Sequence, residues 1–167
     1  MEPAEVPDTG GGLVRNGGFE LGSWGWSIAK DGMSEISTER AASGTRSLRI
    51  ADSRKDAGSS VTSARAPVER GGEFEIRGKV FPVSGDGVGV YVRALGADGR
   101  RLEETLDERG WERATLSLGG SDKQWKPFAQ RFSVPERTRF LQVWVHSYNA
   151  SQVEAYLDDI ELARVGE

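Results

Sequence analysis

The chain has 167 residues, no cysteine, one histidine and a formal net charge of −4 from 22 basic and 26 acidic residues. That length suits one domain, and the absence of thiols excludes cysteine catalysis, disulfide frameworks and thiolate metal sites. The acidic balance argues against a nucleic-acid module, and no apolar run is long enough to cross a membrane. Glycine, at 22 residues, is about twice its usual ~7 % share. Long apolar segments of helical period are missing, so the composition points to many strands and many turns.

Residues 1–12 are acidic, Pro/Gly-rich and without periodicity, and they read as a leader or linker ahead of a single domain over 13–167. They lack the charged start and apolar run of a signal peptide. The body reads as strands at 13–19, 33–38, 47–51, 59–67, 73–81, 88–95, 127–134, 140–148 and 154–162. Ala97-Asp98-Gly99 is a hairpin signal. The stretch 101–120 is the least regular, with a short helix expected at 102–108 and a strand at 112–118. Strands spaced in this way indicate an all-β fold, a two-sheet antiparallel sandwich or a barrel.

Alternation assigns faces, because successive strand residues point to opposite sides. In 140–148 the inward set is Leu141, Val143, Val145 and Ser147, and the outward set is Gln142, Trp144, His146 and Tyr148. In 88–95 the outward set is Gly89, Tyr91, Arg93 and Leu95. In 73–81 it is Glu75, Arg77, Lys79 and Phe81. Were these strands to share a sheet, its outer face would carry rings, amides and guanidinium groups. A row of aromatic residues on an outward face is a candidate site. It suits a sugar, whose C–H faces lie on rings and whose hydroxyls pair with polar side chains at the rim. The alternative is that the second sheet or the leader covers this face and the rings are core.

Five motifs follow one another in order. They are Asn16-Gly17-Gly18-Phe19-Glu20, then Gly25-Trp26, then Gly44-Thr45-Arg46-Ser47-Leu48-Arg49-Ile50. Trp125 with Phe132-Ser133-Val134-Pro135 comes next, and Asp158-Asp159-Ile160-Glu161-Leu162 closes the series. Over residues 13–164 this order resembles the β-jelly-roll carbohydrate-binding modules of bacterial glycanases, of the kind grouped in families four, nine, sixteen and twenty-two, with a galactose-binding-domain-like fold. The resemblance implies a non-catalytic, extracellular module that holds a polysaccharide or oligosaccharide and targets a catalytic domain of the same polypeptide, with no nucleic acid or membrane partner. It also implies a structural Ca²⁺ held by the carboxylates of Glu20 and Asp158 and the main-chain oxygens of Gly18 and Arg46. Ser43 stands where some relatives add a ligand, and Asp159 is the second choice. Calcium takes six to eight oxygens of this mixed kind. The opposing reading has Glu20 and Asp158 capped by backbone amides or arginines. By alternation Asp158 points inward.

By the same resemblance Trp26 and Trp125 are structural and belong to the core. Trp24, in a Gly-rich turn, and Trp111, in the irregular stretch, fall outside the pattern, and each would either rim a cleft or pack its loop. The expected ligand-binding set is therefore Trp144, Tyr148, His146, Gln142, Tyr91 and Arg93, joined by Trp24 and Trp111. Where some relatives place an aromatic or acidic cleft residue, this chain has Ser60, Thr62 and Ala64. Arg77, Lys79 and Arg93 hint at an acidic polymer. The second class of function is a structural or protein-interaction module in which the aromatic face is an interface. Catalysis would need two carboxylates flanking a glycosidic bond, and Glu103, Glu104 and Asp107 cluster instead on the expected short helix, as a solvated face does.

Overall fold

The computed structural model of the chain describes residues 12–166. Eleven strands form two antiparallel sheets among these residues. They are β1 (Trp26–Ile28), β2 (Ser34–Ser37), β3 (Ser47–Asp52), β4 (Ser60–Ser63), β5 (Ala66–Pro67), β6 (Gly72–Ser84), β7 (Asp86–Leu95), β8 (Thr115–Gly119), β9 (Lys126–Val134), β10 (Phe140–Ser147) and β11 (Val153–Arg164). The first sheet runs β1-β4-β10-β7-β8, with β5 also paired to β10, and the second runs β2-β3-β11-β6-β9. The expected all-β sandwich is therefore present.

The alternation places the core as expected. Val88, Val90, Val92 and Ala94 of β7 are buried together with Leu141, Val143 and Val145 of β10. Phe74, Ile76 and Val80 of β6 meet them from the second sheet within one cluster. Each such side chain contributes roughly 1.5–3 kcal/mol on leaving water, so the inward rows hold the two sheets together.

Four expectations change. Residues 13–19 form turns and not a strand, because Asn16 and Phe19 adopt left-handed φ values of 56° and 59°. The Asn16 side chain donates to the carbonyls of Gly22 and Trp24 and accepts the amide of Leu21. The first strand begins only at Trp26, whose indole N–H donates to the Asn16 carbonyl at 2.9 Å. In 101–120 the helix shrinks to one 3₁₀ turn (Glu103–Thr105), anchored by Leu102 in the core cluster. Finally, β6 belongs to the sheet opposite β7 and β10. Of the expected leader, residues 1–11 lie outside the described residues, whereas Gly12 bridges to Leu162 and so belongs to the domain.

Candidate functional site

The outer face of the first sheet collects the aromatic row. Register places Trp144 opposite Tyr91 on one side and Thr62 on the other. His146 stands opposite Gly89 and Ser60, and Gln142 opposite Arg93. A Cβ at position 89 would sit 2.5 Å from the Tyr91 ring and 2.8 Å from that of Tyr148. Glycine there is what admits both tyrosines. The small side chains of β4 matter in the same way: Ser60 accepts the Trp144 indole N–H at 3.2 Å.

Trp144 is the floor of the site, not its surface. It is 8 % exposed, with Tyr91 4.7 Å away on one side and His146 4.7 Å away on another. The Arg93 guanidinium lies 4.3 Å over its ring, and Trp111 stacks across it at 6.2 Å. Trp111 itself is 43 % exposed. Trp111, Tyr91, His146 and Tyr148 line an open cavity of about 450 Å³. This is a size suited to a small ligand or a few sugar units.

Charged groups form one wall of that cavity. Glu112 is buried, and its Oε1 accepts from Arg101 at 3.1 Å and faces Arg93 at 3.4 Å. Its Oε2 has no hydrogen-bond partner among the described residues. Asp107 accepts the amides of Arg109 and Trp111, and these bonds hold its pKa below the usual carboxylate range. Burial lowers the pKa of His146, with Asp52 opposing and Arg93 assisting, so the imidazole is neutral at pH 7. Burial, and then the hydrogen bond to Tyr148, push the Tyr91 phenol up. Sequence reading missed Glu112 and took Asp107 for part of a solvated face, because both lie in the irregular stretch, where no periodicity assigns a face.

The remaining expected contacts are scattered. Gln142 donates to the Ser63 carbonyl and so ties β10 to β4, and neither it nor Arg93 lines the cavity. Trp24 is 43 % exposed on the 16–25 loop beside Leu21, equally exposed, and does not join the cavity. Trp125 is not core. It lies half-buried just before β9 begins, 5.6 Å from Phe81. Arg77 and Lys79 face outward from the second sheet, paired with Glu161 and Asp159. They therefore cannot serve the aromatic cavity.

The expected metal quartet falls into two pairs, Glu20 with Arg46 and Asp158 of β11 with Gly18. Glu20 is exposed, and its oxygens accept the amides of Thr45 and Arg46. These bonds outweigh the opposing effect of burial and lower its pKa. Asp158 is fully buried and accepts the amides of Ala42, Ser43 and Asp159. It pairs in register with outward-facing Lys79. Its burial thus comes from the 42–43 turn laid over it and not from an inward direction, because a bulge with φ 51° at Asp159 shifts the phase of β11. Burial first, and the neighbouring Asp159 as well, push its pKa up to about 6. A Cβ on Gly18 would lie 3.5 Å from Asp159 Oδ1 and 3.8 Å from Asp158 Oδ1. Two carboxylates thus lie beside Gly18, and the Lys79 ammonium is 3.5 Å from Asp159. A hard cation beside Gly18 would use the carboxylates of Asp158 and Asp159, each of which already accepts hydrogen bonds from the 42–43 turn. Among the described residues no three acidic or histidine side chains gather as a metal cluster.

No protein-family model matches the sequence, and no curated protein matches it. Solved structures do match. The xylan-binding domain CBM22-1 from Paenibacillus barcinonensis Xyn10C is 18 % identical at a TM-score of 0.61, over 90 % of this chain and 92 % of that one. The module TmCBM61, solved with β-1,4-galactotriose, is 15 % identical at 0.59, over 92 % and 98 %. The fold is that of the β-sandwich carbohydrate-binding modules. The chain spans nearly the whole of each of these two modules. It also matches the enzymatically active domain of bacteriophage CBA120 tailspike protein 4, at 10 % identity and a TM-score of 0.71, but covers only 22 % of that longer chain.

Proposed function

We propose that the protein is a non-catalytic carbohydrate-binding module that holds a glycan against Trp111, Tyr91, Tyr148 and His146. The observation that carries this reading is the open aromatic cavity on the outer face of the first sheet. An exposed indole braced from below by a second indole offers a rigid apolar plane for a pyranose, at little entropic cost. Neutral His146, the two phenols and Asp107 supply donors and acceptors at the rim. The fold shared with xylan- and galactotriose-binding modules supports the same class of ligand.

The carboxylates in the cavity speak against hydrolysis. Cleavage needs a carboxylic acid held protonated near neutrality. Asp107 is held ionised by amides, and Glu112 is engaged by Arg93 and Arg101. Such a module raises the local concentration of an attached or partner glycanase on its polymer, which places it outside the cell. A structural calcium at Asp158, with Asp159, Ser43 and the Gly18 carbonyl beside it, would neutralise the buried carboxylate. It would fasten the 16–25 loop and the 42–43 turn to β11, while Glu20 ties that loop to Thr45 and Arg46. Affinity electrophoresis through gels containing xylan, galactan or an acidic polysaccharide tests the reading. Retardation by at least one polymer supports it. Free migration in all of them returns the aromatic face to the protein-interface alternative.

A further inference from the structure

We infer that the glycan site continues into an arginine-lined cleft and that the ligand is a sugar chain bearing anionic groups, carboxylate or sulfate. This inference rests on the binding-module reading and names the class of its ligand. The cleft has a volume of about 610 Å³ and is lined by Arg100, Arg101, Arg137 and Arg139, with Asp98 and Glu103. It lies where the hairpin after β7 meets the turn before β10. Of the four guanidinium groups, those of Arg101 and Arg137 pair with Glu112 and Glu104, whereas those of Arg100 and Arg139 have no carboxylate partner among the described residues.

The charges are only partly spent. Arg139 donates to the main-chain carbonyls of Glu136 and Thr138, which orient its guanidinium without neutralising it. Arg100 is exposed, and its guanidinium has no partner among the described residues. Arg137 pairs with Glu104, both exposed to water, a contact that a ligand anion can replace because exposed pairs are weak. Guanidinium forks match carboxylate and sulfate oxygens bidentately.

One ion pair joins this cleft to the aromatic cavity. Arg101 lines the cleft and bonds Glu112 at 3.1 Å, and Glu112 is a wall of the cavity. A chain stacked on Trp111 can therefore extend past this pair toward Arg100 and Arg137. Of the residues that hint at an acidic polymer in the sequence, Arg77 and Lys79 serve the opposite sheet, and Arg93 faces Glu112 at 3.4 Å. The guanidinium groups that carry the inference are in the hairpin and the β9–β10 turn instead.

The test measures binding of the intact protein to polygalacturonate, dextran sulfate and neutral xylan at low and at physiological salt. The variants are Arg100→Glu alone, Arg100→Glu with Arg137→Glu, and Arg131→Glu on the opposite sheet as the charge control. The expected result is tighter binding of an anionic polymer than of xylan, weakened by salt. The double reversal should lower that affinity by about tenfold or more, the single reversal less, and the control not at all. Xylan binding should change by less than about twofold, because neutral sugar makes no charge-assisted bonds there. Binding of polygalacturonate alone assigns carboxylate, and of dextran sulfate alone sulfate. Either supports the inference. Equal binding of neutral and anionic chains, unmoved by reversal, overturns it and leaves the binding-module reading standing. No binding of any polymer overturns both.

Discussion

The indole of Trp111 lies nearly parallel to that of Trp144, 16° between planes and 6.2 Å between centroids. The two differ in what they face: Trp111 is 43 % exposed and Trp144 only 8 %. One is thus a contact surface and the other its support, and their alanine variants should separate. Trp111→Ala should lose glycan binding with little change in melting temperature. Trp144→Ala should lose about 3 kcal/mol as Tyr91, His146 and Arg93 lose their common neighbour, a fall in Tm of roughly 6–12 °C for a domain of this size. Thermal melts beside binding isotherms check this. The reverse pattern would make Trp144 the platform.

Glu112 is buried between Arg93 and Arg101. Removing its charge leaves the half-buried Arg93 without compensation. Glu112→Gln, which keeps the shape, should therefore cost on the order of 3 kcal/mol in urea denaturation. Adding Arg101→Met should cost much less than its effect in the native background, since neighbours in one network do not add. Full additivity would show that the pair carries no coupling.

The fold was legible because alternation in residues 73–95 and 140–148 needs no tertiary information to assign inward rows. Three things were not legible. Which strands share a sheet depends on pairing across long sequence separations, so alternation alone does not tell that Arg77 and Lys79 of β6 lie in the layer opposite Tyr91. The stretch 101–114 has no period at all, and its role comes from tertiary contacts: Leu102 anchors it in the core, and Trp111 and Glu112 are carried over the outer face. Asn16 and Phe19 likewise turn the expected first strand into a loop through left-handed backbone that a string of residue types does not announce. Trp24 stands apart from the cavity for the same reason, since the hydrogen bonds of Asn16 with Gly22, Trp24 and Leu21 shape that loop.

The depressed pKa of His146 fixes a sign for the pH dependence of stability. The unfolded imidazole takes up its proton near pH 6.5, whereas the folded one, buried against Trp144 and facing Arg93 and Asp52, takes it up only at lower pH. The contribution is therefore present above pH 6.5 and is lost as pH falls through the folded value. The melting temperature should drop between pH 7 and pH 5 with a steeper slope in the native protein than in His146→Gln. Equal slopes would mean that the imidazole is not desolvated.

Calcium bound at Asp158 would stabilise the fold by mass action, by about 2.7 kcal/mol at one hundred times the dissociation constant. Melting temperatures measured in calcium should then exceed those in chelator by roughly 5–10 °C. The difference should vanish in Asp158→Asn and shrink in Glu20→Ala, which loosens the 44–46 turn. Identical melts with and without chelator would assign both carboxylates to the backbone amides alone.

The most direct measurement is a titration of intrinsic tryptophan fluorescence with the polysaccharide that retards the protein, in the native chain and in Trp111→Ala. Trp111 is the exposed indole of the cavity, and its neighbour Trp144 is stacked beneath it. The account predicts a saturable change that disappears in Trp111→Ala while the variant keeps its native melting temperature. A saturable change of undiminished size in a folded Trp111→Ala protein would contradict it and move the glycan to another face.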